Sequence, residues 1–321
     1  MNHSRSEWPR HILETLVRRH VSVGDGPLAF TPIATGKFNR SYYVTGGNRD
    51  LLLRIAPPAE EVFLFYERHM MRQEPELHAL LRARTAVPVP EILAFDESHA
   101  VIPRAYLLME RLPGRPLTEM PGVDEDAVLR QVGACLAQVH RLTAERYGYL
   151  GAHRPMPPQE SWPQAFRVMW NKLLDDVVGV SHYTLSERQA LSELLERHLP
   201  LFDRPTPAAL LHMDVWHQNI LVDATGRLTG LVDWDRALWG DPEIEFAVLD
   251  YCGISQPAFW EGYGASRDTS PEAETRRVFY LLYELQKYIV IRQGRDHDPF
   301  RARRYKHQVM EIVCRHRWPC A

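Results

Sequence analysis

Three polar residues, His212, Asp214 and Asn219, form a His-x-Asp-x-x-x-x-Asn pattern, and Asp233 follows them further along the chain. Phosphoryl transfer from a nucleotide uses residues of these types. One carboxylate orients the attacking hydroxyl, and an amide and a second carboxylate hold Mg²⁺ on the phosphates. The spacing from Asp214 to Asn219 is that of a kinase catalytic loop, in which the aspartate is the base and the asparagine reaches magnesium. We therefore predict Asp214 as the catalytic residue, and Asn219 and Asp233 as metal ligands.

The segment between these residues must bring the two predicted ligands together. Residues 220–222 and 228–232 are apolar and rich in β-formers, and the turn at 223–226 contains Asp and Gly. Two such runs around such a turn predict a β-hairpin. Its open end carries Asn219 on one strand and Asp233 on the other, so the hairpin places them side by side.

With these motifs in view, the segment resembles the aminoglycoside phosphotransferase family. This is the small-molecule branch of the protein-kinase-like fold, which also includes choline, homoserine and fructosamine kinases. The usual family string is similar to HGDLHPGN, followed by a hydrophobic-Asp-aromatic-acid motif and then Gly-Asp-Pro. The chain keeps His212, Asp214, Asn219, Val232-Asp233-Trp234-Asp235 and Gly240-Asp241-Pro242. It departs at Met213, Trp216, His217 and Gln218. These departures leave open the path of the loop and a role for a second histidine.

The turn at residues 34–41 lies where a kinase-like sheet covers the nucleotide phosphates. A tight turn of small residues lets backbone N–H groups approach phosphate oxygens. This turn contains a single glycine, so an ordinary hairpin turn is the alternative. We predict that Gly36, Asn39 and Ser41 lie nearest the nucleotide.

The next strand contains Arg54 where kinases place a lysine. A guanidinium can bind phosphate through two hydrogen bonds, and the alternative is a salt bridge on the sheet surface. Similarity to the family favours Glu74 as the partner of Arg54 on the following helix. Pro75 disfavours helical geometry at the residue before it, so Glu76 is kept in reserve.

The segment at residues 110–116 is predicted to be a linker between two lobes. In the kinase-like fold this hinge offers its backbone N–H and C=O groups to adenine. We therefore predict main-chain contacts to the nucleotide at Glu110 and Leu112. This prediction rests on position alone, because backbone contacts leave no mark in the sequence.

Five strand-like segments precede the linker, at residues 28–33, 40–45, 51–55, 88–93 and 105–110, and helical periodicity dominates after it. The predicted fold is α+β and bilobal, like that of a protein kinase. We expect an N-lobe at residues 1–110, with a five-stranded antiparallel sheet and a helix. The hinge spans residues 111–116, and a mainly helical C-lobe spans residues 117–321.

Composition sets outer limits on function. The chain has 321 residues, 45% of them hydrophobic, a formal net charge of −3 and a pI near 6.6. This balance argues against a nucleic-acid-binding protein. The sequence shows neither a signal peptide nor a long apolar span, which favours a cytoplasmic protein that does not enter a membrane. The four cysteines lack metal-site spacing, and we expect them to be free thiols.

The resemblance implies an enzyme that uses ATP and Mg²⁺ to phosphorylate a hydroxyl of a small molecule, such as an aminoglycoside-like antibiotic, a sugar or an amino alcohol. A non-catalytic kinase-like protein that binds nucleotide or a partner is the alternative. A protein kinase is less consistent, because the segment after Asp233 lacks an activation loop and an Ala-Pro-Glu motif. A phosphohydrolase built on Asp233 and Asp235 is a third possibility. The acceptor and the oligomeric state are not encoded in these motifs. For a cationic acceptor, the acidic complement is expected from C-terminal residues such as Glu284, Asp296 and Asp298.

Overall fold

The computed structural model describes residues 8–34, 38–47 and 49–316. The first part of the chain forms a five-stranded antiparallel sheet in the order β1-β2-β3-β5-β4. The strands are β1 (Ala29–Pro32), β2 (Arg40–Thr45), β3 (Leu51–Ile55), β4 (Ile92–Asp96) and β5 (Tyr106–Glu110). Successive side chains of a strand point to opposite faces. In β3, Leu51 and Leu53 pack into a core with helix α1 (Arg10–Arg18), whereas Leu52 and Arg54 face a central cavity.

The fourth strand begins later than predicted, at Ile92 instead of residue 88. Pro88 and Pro90 lack the N–H group that a paired strand donates, so the segment containing them does not join the sheet. The carbonyl of Pro88 accepts a hydrogen bond from Leu231 N at 2.9 Å. The proline-rich segment therefore connects the sheet to the hairpin of the predicted active site.

Helix α2 (Glu74–Arg84) follows a 3₁₀ turn, Met70–Gln73. Pro75 lies in the first turn of α2, where a missing N–H costs nothing because that group has no partner within the helix. The proline therefore marks the start of the helix rather than a kink within it.

The rest of the chain is mainly helical. Its helices are α3 (Glu125–Val139), α4 (Trp162–Gly179), α5 (Leu185–His198), α6 (Pro242–Tyr251), α7 (Pro257–Tyr263), α8 (Pro271–Val290) and α9 (Pro299–Arg315). Helix α8 continues into a π-helical turn, Ile291–Arg295. Trp162, Phe166 and Trp170 on α4 are fully buried, so this aromatic stripe forms core.

Short strands support the catalytic segment between the helices. They are β6 (Arg115–Pro116), β7 (Thr143–Ala144), β8 (Ala208–Leu211), β9 (Ile220–Val222), β10 (Leu228–Leu231) and β11 (Leu238–Gly240). They form two three-stranded sheets, ordered β10-β9-β6 and β11-β8-β7. The predicted hairpin is the β9–β10 pair. At its turn, the Asp223 side chain accepts hydrogen bonds from the N–H groups of Thr225 and Arg227, and Gly226 has a φ of 82°.

The predicted α+β class, with a five-stranded antiparallel sheet followed by a mainly helical part, is confirmed. The lobe and hinge boundaries stay predictions. Among the described residues, no helix has the length and apolar character needed to span a membrane.

The expectation of free thiols holds for Cys135 and Cys252. It is wrong for Cys314, which is disulfide-bonded. Spacing along the sequence does not show which thiols the fold brings together.

Candidate active site

The catalytic loop, residues 212–219, is held at its start by one buried carboxylate. The N–H groups of His212 and Met213 donate to Glu245 Oε1 at 3.0 and 2.7 Å. Glu245 is fully buried on α6, and His140 Nε2 lies 2.7 Å from its other oxygen. His140 thus supports the loop indirectly, through Glu245.

His212 ties the catalytic loop to the hairpin. Its Nε2 lies 3.0 Å from the carbonyl oxygen of Val232, and its Nδ1 accepts a hydrogen bond from Asp214 N at 3.2 Å. Burial lowers the pKa of His212, which favours the neutral ring that this pattern requires. The histidine of the motif therefore links the loop to Val232, the residue that precedes Asp233.

Met213 shows why the family pattern has glycine at this position. Its φ is 67°, in the left-handed region that glycine adopts without steric cost. The methionine side chain is buried. The chain therefore makes a turn suited to glycine with a residue that is strained in it.

Asp214 lies in the cavity wall with 19% of its side chain exposed. Arg236 donates to its Oδ1 at 3.1 Å, and Asn219 Nδ2 donates to its backbone carbonyl at 2.9 Å. Burial raises the pKa of Asp214 and the charge of Arg236 opposes that rise. The loop thus presents a fixed carboxylate of increased basicity, as a proton acceptor requires.

Asn219 and Asp233 lie at the open end of the hairpin, where Val232 N donates to Asn219 O at 3.0 Å. Both line the cavity, and 40% of the Asp233 side chain is exposed. Asp233 has a φ of 68°, a conformation uncommon outside glycine and often found at functional sites. A carboxylate and an amide oxygen fit Mg²⁺ when phosphates supply further ligands. Among the described residues, no group of three or more His, Cys, Asp or Glu side chains is arranged to hold a metal.

Arg54 connects the sheet to the hairpin. It donates to Glu74 Oε2 at 2.7 Å, and to Asp233 Oδ1 and Asp235 Oδ2 at 3.0 Å each. Burial alone would lower the pKa of Arg54, but these carboxylates raise it, so the guanidinium stays charged. Burial raises the pKa of Glu74 in turn, and Arg54 opposes this. The pairing that the sequence left open is made by Glu74.

Asp235 completes this charge network. It is buried, and burial together with the charge of Asp233 raises its pKa well above the usual value. Asn39 Nδ2 lies 3.4 Å from its Oδ2, and Gln73 Nε2 donates to its backbone carbonyl at 2.7 Å. Asp235 is thus a salt-bridge partner of Arg54 that also reaches the turn between β1 and β2.

Two of the departures from the family string, His217 and Gln218, lie in a short 3₁₀ turn, His217–Asn219, and Trp216 directly precedes it. His217 Nε2 lies 2.9 Å from Glu125 at the exposed start of α3, so the second histidine makes a surface contact. Gln218 Oε1 accepts a hydrogen bond from Thr118 at 2.7 Å, and both Gln218 and Trp216 line the cavity.

The predicted phosphate-covering turn is described in part. Asn39 and Ser41 line the cavity, and Ser41 pairs with Arg54 across β2 and β3. Gly36 lies outside the described residues.

The two predicted hinge residues, Glu110 and Leu112, differ in whether their backbone N–H groups already have an acceptor. The N–H of Glu110 already donates to Glu91 O at 3.0 Å, and that of Arg111 donates to Asp50 O at 3.2 Å. Within residues 8–34, 38–47 and 49–316, the N–H of Leu112 has no acceptor. Glu110 and Leu112 both line the cavity. Leu112 is therefore the better placed of the two to donate to a base.

The predicted site residues that the structure describes, Glu74 excepted, line one cavity of about 490 Å³ between the sheet and the helices: Asn39, Ser41, Arg54, Glu110, Leu112, Asp214, Asn219 and Asp233. Its lining also contains Arg236, Tyr288, Arg292 and Tyr305. The acids that the sequence suggested for a cationic acceptor are used elsewhere. Glu284 pairs with Lys287, Asp296 pairs with Arg292, and Asp298 caps α9.

Several site residues escaped the sequence reasoning. Arg236, Gln73 and Glu245 hold Asp214, Asp235 and the loop backbone, respectively. Arg236 directly follows the Asp-Trp-Asp motif, and this position in the sequence could have indicated that it lies in the site. Gln73 and Glu245 act across long sequence separations and carry no local pattern.

A five-stranded sheet over a helical part, with an Arg–Glu pair on one side of the cavity and an Asp–Asn loop on the other, defines a protein-kinase-like protein. The model of the phosphotransferase enzyme family matches residues 29–281, and the chain belongs to this family.

Two relatives illustrate the range of the family. The protein called "Probable ketoamine kinase" from Vibrio parahaemolyticus is 26% identical over 265 residues, which cover 79% of this chain and 83% of that protein. The hygromycin-B 4-O-kinase from Escherichia coli is 26% identical over 248 residues, covering 73% of this chain and 64% of that enzyme.

A solved structure shows the same fold. It is a thermostable mutant of the aminoglycoside phosphotransferase APH(4)-Ia in a ternary complex with AMP-PNP and hygromycin B. It matches with a TM-score of 0.65 and 19% identity, covering 94% of this chain and 97% of that one.

Proposed function

We propose that this phosphotransferase transfers the γ-phosphoryl group of ATP to a hydroxyl of a small molecule, with the help of Mg²⁺. The observation that carries the proposal is a convergence on one cavity. Asp214, Asn219 and Asp233 reach it from the catalytic loop and the hairpin, and Arg54 reaches it from the sheet. The relatives named as kinases of ketoamines and of hygromycin B support a small-molecule acceptor.

Asp214 orients the acceptor hydroxyl and takes its proton. The hydroxyl oxygen forms a bond to the γ-phosphorus as the bond from that phosphorus to the bridging oxygen breaks. ADP leaves with the bonding electron pair, and the proton passes from Asp214 to solvent. Because burial raises the pKa of Asp214, the carboxylate holds the proton more readily than an exposed aspartate would.

Asn219 and Asp233 would hold magnesium, which when bound neutralises charge on the phosphates. Arg54 anchors the donor phosphates, and Glu74 fixes its guanidinium from the opposite side at 2.7 Å. Asn39 and Ser41 face the phosphates from the cavity lining, and Leu112 and Glu110 contact the base through their main chains. Gly36, predicted to lie near the phosphates, is outside the described residues.

The test is ADP release by the purified protein with Mg·ATP and pools of aminoglycosides, sugars, amino alcohols and nucleosides. We expect turnover in at least one pool. Asp214→Asn should lower it by about 10²- to 10⁴-fold, because the general base is lost. Nucleotide affinity, measured by calorimetry, should change little.

Asp223→Asn is the matched control, since Asp223 lies at the exposed turn of the same hairpin. Equal turnover in the wild type and Asp214→Asn would refute the role of Asp214. ATP binding without turnover in any pool would favour the non-catalytic alternative.

A further inference from the structure

The acceptor end of the cavity is lined by cationic side chains. Arg236, Arg292 and Arg295 line the cavity that also contains Asp214. The carboxylates in the described lining are Glu110 at the predicted hinge, Asp233, which is the proposed metal ligand, and Asp214. A ligand that enters here therefore meets positive charge around the reacting position.

The acids that pair with Arg292 and Arg295 do not line the cavity. Arg295 donates to both oxygens of Glu67, at 2.7 and 2.9 Å, and Glu67 is 1% exposed. Arg292 pairs with Asp296, which does not line the cavity. The carboxylates thus hold the arginines in place from outside the cavity lining, whereas the arginines line it.

Donor groups of these arginines are left without protein acceptors. The Nε atoms of Arg292 and Arg295 are buried and lack a hydrogen-bond partner in the described part of the chain. The Arg295 side chain is 7% exposed. Arg236 donates to Asp214 at 3.1 Å, while its second terminal nitrogen is 4.0 Å from Glu67, too far for a hydrogen bond. The buried Nε atoms are not exposed to a ligand, but Arg236 and Arg292 line the cavity with 17% and 18% of their side chains exposed. A guanidinium has five N–H donors, so these two arginines retain capacity for oxygen acceptors.

Tyrosines complete this end of the cavity. The rings of Tyr288 and Tyr305 stack with centroids 5.1 Å apart, and the hydroxyls of Tyr251 and Tyr305 are 3.0 Å apart. Arg292 lies 5.8 Å from the centre of the Tyr288 ring. The wall thus combines flat apolar surface with cationic donors, and such a wall repels a polycation while it binds an oxyanion.

We propose that the acceptor is an anionic hydroxy compound, with a carboxylate or phosphate close to the hydroxyl that is phosphorylated, and that Arg236 and Arg292 bind this anionic group. The anion lies close to that hydroxyl because Arg236 also contacts Asp214, which holds the hydroxyl. This inference rests on the proposed function, since it names the substrate class of that same cavity.

The first measurement compares three acceptor pools in the ADP-release assay. One contains hydroxycarboxylates and sugar phosphates, the second neutral sugars and polyols, and the third amino sugars and aminoglycosides. We expect the highest kcat/KM in the anionic pool, by about tenfold or more over the neutral one. A neutral or cationic best acceptor would overturn the proposal while leaving the proposed function intact.

The second measurement uses Arg292→Gln, with Arg301→Gln as control because Arg301 is a largely exposed arginine on α9 that pairs with Asp298. Arg292→Gln should raise the KM of the best anionic acceptor by about tenfold and leave the KM of ATP unchanged. Arg301→Gln should change neither. An equal rise in both constants would assign Arg292 to the nucleotide and overturn the proposal.

If no acceptor pool is phosphorylated, a binding measurement tests the proposed anion site. Malonate and inorganic phosphate are titrated into the protein saturated with Mg·AMP-PNP, and the thermal unfolding midpoint is followed. We expect a rise in the wild type and in Arg301→Gln, and its loss in Arg292→Gln. No rise, or the same rise in all three proteins, would refute the anion site independently of turnover.

Discussion

The two ends of the central cavity hold their charged groups in different ways. At the nucleotide end, Arg54 is bonded to Glu74, Asp233 and Asp235, so cation and carboxylates share one network. At the end proposed to bind the acceptor, Arg292 and Arg295 line the cavity, whereas their carboxylate partners Asp296 and Glu67 do not. The first arrangement fixes catalytic groups relative to each other. The second leaves cationic donors available to a ligand, which is why the ends are expected to recognise different partners.

The largest effect in this comparison is expected when the charge network around Arg54 is disrupted. Arg54→Gln removes the cation that donates to three carboxylates, so these would repel each other and the phosphates. We expect nucleotide affinity to fall by about 10- to 100-fold, which corresponds to the loss of one or two charge-assisted hydrogen bonds. Calorimetric titration with Mg·AMP-PNP measures it.

Arg54→Lys is the companion variant, because it keeps the charge and loses the planar fork of donors. Its affinity should lie between those of the wild type and Arg54→Gln. Unchanged nucleotide affinity in Arg54→Gln would show that Arg54 does not bind the nucleotide.

The loop at residues 212–219 should be destabilised by substitution of Glu245, which binds its backbone. Glu245→Gln weakens the acceptor shared by the N–H groups of His212 and Met213, and it disrupts the contact with His140. We expect the free energy of unfolding to fall by about 1–3 kcal/mol, measured by urea denaturation. Glu311→Gln, at an exposed ion pair on α9, should stay within about 0.5 kcal/mol of the wild type. Similar stability of both variants would show that the buried carboxylate does not hold the loop.

A smaller effect is expected at Met213, whose φ is 67°. Met213→Gly and Met213→Ala both remove the buried side chain, but alanine keeps the left-handed strain. The glycine variant should therefore be the more stable of the two by about 1 kcal/mol, although glycine normally destabilises relative to alanine. Thermal unfolding of the pair measures this difference, and a more stable alanine variant would contradict it.

The last change concerns the pH dependence of the reaction and is made at Arg236, which contacts Asp214 and also lines the cavity. Burial raises the pKa of Asp214, and Arg236, Lys287 and His212 lower it. Arg236→Gln removes a cation that favours the ionised form, so the pKa rises further. The acidic limb of the pH profile of kcat/KM should then move to higher pH. A limb that stays in place, or moves to lower pH, would show that Arg236 does not set the basicity of Asp214.

The sequence was most informative where function requires fixed residue types at short spacing. The hairpin that presents Asn219 and Asp233 followed from local pattern. The fourth strand was misplaced because an apolar run does not reveal that two prolines cannot pair. Glu74 and Glu76 could not be separated, because the choice depends on where α2 begins relative to β3.

What the sequence by itself determined is the hairpin and the family motif that carries Asp214, Asn219 and Asp233, the proposed reacting groups, because both depend on residue type and on short spacing. Only the tertiary structure decided which charges meet. Arg54 and Asp235 are 181 positions apart, and Arg295 and Glu67 are 228 positions apart, yet each pair is in contact. Such contacts form because burying a charge without a partner is too costly, so the fold pairs distant groups in ways that no local pattern records.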